Sequence, residues 1–112
     1  PTCSAAHLPG FVVNVDAIKA KGVDTVVCMA VNDAFVMGAW GKAQNAEHIL
    51  MLADGNADLT RALGLELDGS GFGMGTRSKR FAMIVNNGVV ELLNVDDKAL
   101  EKSSAEAILA AL

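Results

Sequence analysis

The sequence contains two thiols, Cys3 and Cys28, and their surroundings differ. Cys3 begins a segment with a helical pattern, where unpaired backbone N–H groups and the helix dipole lower the pKa of a thiol. Cys28 lies within the apolar run TVVCMAV, where desolvation raises the pKa of a thiol and makes it inert. Position alone leaves Cys3 open to two interpretations, a reactive thiol or a small packed side chain, whereas Cys28 is predicted to be structural.

The first histidine of the chain follows Cys3 by four residues, which is the same face of a regular helix. His7 would suit a Cys-His nucleophile pair or part of a zinc site, but zinc needs about four ligands, and His48 and Cys28 lack motif spacing to the others. No metal is therefore expected, and packing or capping is the commoner role for such a histidine. Ala6 stands where a CxxC motif would place its second thiol, which argues against dithiol exchange.

The stretch LDGSGFGMGTRSK, residues 67–79, is similar in composition to a phosphate-binding loop. It leads into a strand and lacks both the G-x-G-x-x-G spacing and a Lys-Ser/Thr pair. A flexible surface loop is therefore predicted, with a solvated basic cluster of Arg77, Lys79 and Arg80. Arg80 is the exception within this cluster. It begins the apolar strand RFAMIV, where its planar fork is placed to face an anion such as a thiolate.

Composition restricts the class of protein. The chain has 112 residues, 52% hydrophobic and 20% charged, with a net charge of −4. We expect one domain over residues 1–112, too apolar for disorder and without the ~18-residue apolar run of a membrane helix. No block of basic residues indicates a nucleic-acid partner. Two cysteines without a secretion signal favour a reducing compartment, and a start at Pro1 without Met indicates part of a longer sequence.

Periodicity predicts helices that alternate with strands. Residues 4–21 read as a helix with Phe11, Val15 and Ile18 on one stripe, broken near Pro9 into two pieces. The runs at 25–31 and 48–54 read as parallel strands, the first covered on both faces. The helix between them is predicted to be capped by Asn32-Asp33 and to pack through Val36, Ala39, Trp40 and Ala43.

The remaining segments complete this pattern. A short helix is expected over 58–65, and two strands flank a tight turn at Asn86-Asn87-Gly88. The last helix is predicted to begin at a capping box of Ser103 and Glu106. The resulting order is that of a thioredoxin-like α/β fold: a mixed central sheet flanked by helices, with its first strands missing. Cys3 then lies just past a strand that would precede Pro1, where reactive groups of open sheets are found.

Four motifs in register, PTCSAAHLPGF, VVCMAVNDAFVMGAW, LADG and RSKRFAMIVNNG, resemble the peroxiredoxins, and specifically their type II or peroxiredoxin-5-like group. The resemblance covers essentially the whole chain. It implies that Cys3 is the peroxidatic nucleophile and that Arg80 favours its thiolate and stabilises charge on the leaving oxygen. Thr2 and the helix start would offer backbone N–H groups to substrate. The family's Pro-x-x-x-Thr-x-x-Cys motif extends upstream, so its Pro and Thr would precede Pro1.

The resemblance implies a thiol-dependent peroxidase that reduces hydrogen peroxide and small alkyl hydroperoxides through a cysteine sulfenic acid, with no cofactor and no metal. Some family members carry a resolving cysteine in their C-terminal region, and no cysteine follows Cys28 here. The resemblance therefore implies a one-Cys cycle with glutaredoxin and glutathione, or thioredoxin, as reductant, and Cys28 is the less favoured resolving partner. A cytoplasmic or organellar homodimer without nucleic acid or membrane is expected, with Phe35, Phe72 and Met74 as candidate surface residues and Trp40 as core. The alternative is a non-catalytic thioredoxin-like binding module with structural cysteines; a glutaredoxin-like enzyme is disfavoured by the missing CxxC.

Overall fold

The computed structural model describes residues 2–97 and 99–112, so Pro1 and Lys98 lie outside the described part. Backbone contacts divide the chain into two units. The terminal unit comprises residues 1–25 and 80–112, and the middle unit comprises residues 26–79. The division into units places Cys3 and Arg80 in the terminal unit and Cys28 in the middle unit.

The terminal unit begins with one continuous helix of two types. A π-helical segment, Cys3–His7, passes directly into α1, Leu8–Ala20. The N–H of Leu8 donates to the carbonyl of Cys3, five residues earlier, and Pro9 follows in the first turn of α1. The wider turn gives room for a ring that lacks an N–H and would clash with the preceding turn. The break predicted near Pro9 is therefore a change of helix type and not an interruption.

The rest of the terminal unit covers the apolar face of α1. Leu8, Val15 and Ile18 are buried, which confirms most of the predicted stripe. A hairpin of β5, Arg80–Asn86, and β6, Val89–Asp96, pairs antiparallel, and α4, Ala105–Ala111, contacts both α1 and β5. The two-residue turn between the strands has positive φ at Asn87 and Gly88, 55° and 81°, as the sequence predicted for an Asn-Gly turn.

The connection from β6 to α4 differs from its prediction. Ser104 is the N-cap of α4, and its hydroxyl accepts from the N–H of Ala107 at 3.2 Å. The predicted capping box of Ser103 and Glu106 is wrong by one residue. Ser103 is fully buried, and its hydroxyl and N–H donate instead to the carboxylate of Asp96, at 2.7 and 2.8 Å. The Ser103 side chain, which the pattern assigned to the helix N-terminus, is thus hydrogen-bonded to the buried Asp96 carboxylate.

The middle unit contains a strand-helix-strand arrangement. β1, Val27–Ala30, and β2, Leu50–Ala53, pair in parallel, as predicted, and α2, Ala34–Ala43, connects them. The side chain of Asp33 caps α2 by accepting from the N–H of Val36 at 2.8 Å, which confirms the predicted N-cap. Within the described residues, no helix is long and apolar enough to cross a membrane.

The buried face of α2 is not the predicted one. Met37 and Gly41 are its buried residues, whereas Val36 is exposed and Trp40 is half-buried. A Cβ added at Gly41 would lie 2.9 Å from Cγ of Met51 on β2. The helix therefore places a glycine against the strand, and this close approach selects the core face over the Val36, Ala39, Trp40 and Ala43 stripe.

The strands β1 and β2 are less covered than their apolar sequences predict. Val27 and Leu50 are register partners on one face of the pair and are 47% and 55% exposed. Because β-strand side chains alternate, Met51 points to the opposite face, where it meets α2. The prediction of a strand covered on both faces is wrong for the described residues, since α2 covers one face of the pair.

The glycine-rich stretch forms a second hairpin and not the predicted loop. After α3, Asp58–Ala62, β3, Glu66–Asp68, pairs antiparallel with β4, Thr76–Ser78, around a 3₁₀ turn, Ser70–Phe72. Gly73 and Gly75 have φ of 73° and 66°, a region that glycine enters without strain. These glycines reverse the chain, so β3 and β4 give the stretch a defined backbone.

Replacing Met37 with Ala tests the observed core of α2. Met37 is 0% exposed, so Met37→Ala leaves a cavity and is expected to lower the free energy of unfolding by about 2–5 kcal/mol. Val13→Ala, on α1, is the control, because Val13 is 81% exposed and its truncation leaves no cavity. Urea unfolding measures both variants, and equal effects at the two positions would contradict the observed burial.

Asp54 gives the fold a measurable sensitivity to acid. It follows β2 and accepts from the Thr60 hydroxyl at 2.6 Å and from the N–H groups of Thr60 and Leu59 at 2.8 and 3.2 Å. Led by the Thr60 hydroxyl, these bonds outweigh desolvation and hold the pKa of Asp54 below its ordinary value. Because the pKa of Asp54 is lower in the folded than in the unfolded state, the ionised side chain stabilises the fold at pH values above the unfolded pKa of about 3.9. This stabilisation is lost as the pH falls through the folded pKa.

We therefore expect Asp54→Asn to flatten the acid part of the stability profile. The free energy of unfolding, measured by urea titration from neutral pH to about pH 3, should fall less steeply in the variant than in the parent. Asp16→Asn, at an exposed aspartate of α1, serves as the control. A variant profile parallel to that of the parent below about pH 4 would contradict the prediction.

Candidate active site

Cys3 lies at the start of the helix and is exposed. Thr2 precedes it in a helical conformation, with φ −61° and ψ −37°, and no side-chain hydrogen bond caps the helix there. The first turn holds no acidic residue. The N–H groups of such a first turn lack partners within the helix, so they and the dipole favour negative charge on the Cys3 sulfur.

The side chains of His7 and Arg80 both act on this sulfur. The ring of His7 and the guanidinium of Arg80 both lie within hydrogen-bonding reach of the Cys3 side chain. The hydrogen bond with His7 is the strongest influence and lowers the pKa of the Cys3 thiol, and partial desolvation opposes it. The hydrogen bond and charge of Arg80, with the charge of His7, lower the pKa further. The structure therefore brings together Cys3 and Arg80, the two residues predicted to be catalytic, and adds His7 to them.

The His7 ring is held from two other sides. Its Nε2 lies 2.9 Å from the carbonyl oxygen of Ser103, and Phe11 meets the ring edge-on with centroids 5.6 Å apart. A carbonyl only accepts hydrogen bonds, so Nε2 carries a proton and Nδ1 is the nitrogen left for the Cys3 sulfur. The packing role that sequence favoured for His7 is present, together with a contact to Cys3 that was only one of its alternatives.

Arg80 reaches the site from the first position of β5. It is half-buried, and its register partner across the hairpin is Asp96. Arg77 of the predicted basic cluster has a different role, because its guanidinium donates to the Val31 carbonyl and to the Asn32 side chain within the middle unit. Arg80 therefore acts on Cys3, whereas Arg77 holds the loop at Val31 and Asn32 through hydrogen bonds.

Cys28 is half-buried in β1, with Met51 as its register partner, and no disulfide joins the two cysteines in the part of the chain that the structure describes. The parts of the chain described by the structure contain no group of three or more His, Cys, Asp or Glu side chains that could hold a metal ion. The groups that meet at Cys3 are the sulfur, the imidazole of His7 and the guanidinium of Arg80.

Comparison with known proteins finds a family and relatives that match this chain. The model of the Redoxin family matches residues 1–109. The chain is 49% identical to the chloroplastic peroxiredoxin-2E-2 of Oryza sativa subsp. japonica and 47% identical to peroxiredoxin-2D of Arabidopsis thaliana. Each match covers 100% of this chain, but only 52% of the rice protein and 70% of the Arabidopsis protein. The chain thus spans about half the length of the rice relative.

Solved structures match the whole fold. The crystal structure of reduced Prx3 from Vibrio vulnificus in complex with hydrogen peroxide has a TM-score of 0.96 and 65% identity, covering 100% of this chain and 73% of that chain. Peroxiredoxin 5 from Alvinella pompejana has a TM-score of 0.84 and 39% identity, covering 94% and 66%. The predicted thioredoxin-like α/β fold of the peroxiredoxin type is confirmed.

Replacing His7 tests its influence on the sulfur. In a Cys28→Ser background, His7→Gln removes the main cause of the lowered pKa, so we expect the pKa of Cys3 to rise. The rate of alkylation by iodoacetamide, followed against pH, reports the thiolate directly because the thiolate is the nucleophile. His48→Gln, at the exposed second histidine, is the control. An alkylation midpoint unchanged by His7→Gln would show that the ring does not act on the sulfur.

Proposed function

The chain belongs to the peroxiredoxin family, and we propose that it acts as a thiol-dependent peroxidase on hydrogen peroxide and small alkyl hydroperoxides. The observation that supports this most is the exposed Cys3 sulfur in contact with His7 and Arg80. A nucleophile that must meet small peroxides needs to be both ionised and accessible, and these contacts supply the first property while exposure supplies the second.

In the proposed reaction, the thiolate of Cys3 attacks the terminal oxygen of the peroxide. A sulfur–oxygen bond forms and the oxygen–oxygen bond breaks, with its electron pair moving to the leaving oxygen. The sulfur is oxidised to a sulfenic acid, and the leaving oxygen takes a proton to become water or an alcohol. Arg80 stabilises the charge that develops on this oxygen, and the backbone N–H groups at Thr2 and the helix start bind the substrate.

A second thiol must then reduce the sulfenic acid, because further peroxide would oxidise it to the sulfinic acid. The sequence has no cysteine after Cys28. Since Cys28 is half-buried within a strand, we propose an external reductant, either glutaredoxin with glutathione or thioredoxin. In that scheme Cys3 completes the cycle as the one redox-active cysteine of the chain.

We further propose that the protein pairs as a homodimer. Phe35 and Phe72 of the middle unit are 89% and 85% exposed, and large exposed apolar side chains are typical of interaction surfaces. The cytoplasmic or organellar location stays a prediction. The rice relative carries the word chloroplastic in its name, which describes that protein.

Peroxide consumption with dithiothreitol as reductant tests the assigned roles. Cys3→Ser is expected to abolish consumption, because a hydroxyl at this position is not ionised at neutral pH. Cys28→Ser should keep it. Arg80→Gln is expected to lower kcat/KM by about a hundredfold, the usual loss of a preorganised group that stabilises developing charge.

Lys79→Gln, at the exposed neighbour of Arg80, controls for the loss of one positive charge and should leave kcat/KM near that of the parent. Peroxide consumption that survives Cys3→Ser would reject the peroxidase mechanism and favour the alternative of a binding module with structural cysteines.

A further inference from the structure

Asp96, the last residue of β6, is a buried carboxylate that organises the chain following it. Its side chain is 5% exposed and accepts four hydrogen bonds, from the N–H groups of Glu101, Lys102 and Ser103 and from the Ser103 hydroxyl, at 2.7 to 3.0 Å. Burial opposes its ionisation, but these bonds outweigh burial and hold the pKa of Asp96 well below its ordinary value. The carboxylate is therefore charged near neutral pH, and the residues from 101 to 103 are fastened to it.

The same residues carry the partner of His7. Ser103 is fully buried, and both its N–H and its hydroxyl donate to Asp96, which fixes the orientation of the residue. Its carbonyl oxygen lies 2.9 Å from Nε2 of His7. The hydroxyl of Ser104 donates to the carbonyl of Glu101 at 2.8 Å and closes the turn. The position of the carbonyl that orients the His7 ring thus depends on the Asp96 carboxylate.

Asp96 also lies opposite the second group that contacts Cys3. Arg80 and Asp96 are register partners in the antiparallel pairing of β5 and β6, and side chains of directly opposite residues emerge on the same face. One residue therefore links the backbone that carries Arg80 with the turn that holds His7. The side chains of Glu101 and Lys102 are exposed, and they take part through their backbone N–H groups.

We propose that Asp96 is a positioning residue for Cys3: it fixes the Ser103 carbonyl, which accepts from the Nε2–H of His7 and so leaves Nδ1 toward the sulfur. Nδ1 then takes the thiol proton, and the resulting imidazolium, protonated on both nitrogens, pairs with the Cys3 thiolate. The importance of this arrangement for peroxide reduction rests on the proposed function. The arrangement itself is a property of the folded chain. It is distinguishable from a simple charge effect, because a carboxylate acting only through its charge disfavours a nearby thiolate, whereas a carboxylate that positions His7 favours it.

The test compares Asp96→Asn with Asp54→Asn in a Cys28→Ser background. Asp54 is the matched control, because it is also a carboxylate that accepts from backbone N–H groups and one hydroxyl, but in the middle unit. Two-dimensional ¹⁵N–¹H correlation of the imidazole at pH above its titration reports the tautomer of His7, and iodoacetamide alkylation against pH reports the thiolate of Cys3. Asp96→Asn should replace the single Nε2-protonated tautomer by a mixture and shift the alkylation midpoint upward, and Asp54→Asn should change neither.

An unchanged tautomer, or an alkylation midpoint that stays or moves downward in Asp96→Asn, would overturn the proposal. If Asp96→Asn does not fold, Ser103→Ala tests the proposal instead. This variant removes the hydroxyl, one of the four donors to Asp96, and keeps the backbone carbonyl of residue 103. It should shift the midpoint upward by a smaller amount, and no shift would overturn the proposal. Both readouts work without peroxide, so a midpoint shift in a chain that consumes no peroxide would reject the proposed function and retain the positioning role.

Discussion

The hydrogen bond between the Cys3 sulfur and the His7 ring is the interaction on which the site depends. An exposed thiol near its ordinary pKa of about 8.5 is largely protonated and weakly nucleophilic at neutral pH. The π-helical segment Cys3–His7 spaces the two side chains, and Phe11 and the Ser103 carbonyl hold the ring in place. Arg80 adds a guanidinium from β5. The site is thus assembled from a helix, a hairpin and a turn of one unit.

Features set by local chemistry were predictable from the sequence. The N-cap at Asp33 and the hairpin at Asn87-Gly88 need only a few neighbouring residues, and both are present. The importance of Cys3 and Arg80 was indicated by a helix start and by a charged residue at the head of an apolar strand. Their contact is present in the structure, while their catalytic roles stay a proposal.

Features set by distant partners were not predictable. The His7 contact with Ser103 joins residues 96 positions apart, and the Asp96 carboxylate takes the Ser103 hydroxyl that the capping pattern had assigned to Glu106. In α2, the close approach at Gly41 overrides the apolar spacing that selected Val36 and Trp40. In each case a tertiary contact decides which local alternative is adopted, and a single sequence does not contain that contact.

The most direct measurement is the site of oxygen addition after one equivalent of hydrogen peroxide. The protein is oxidised in the presence of dimedone, which traps sulfenic acid, and the adduct is located by peptide mass spectrometry. A thiolate favoured by His7 and Arg80 predicts one adduct, on Cys3, with Cys28 unmodified. An adduct confined to Cys28, or unreacted thiols at both positions, would contradict the assignment of Cys3 as the peroxide-reactive sulfur.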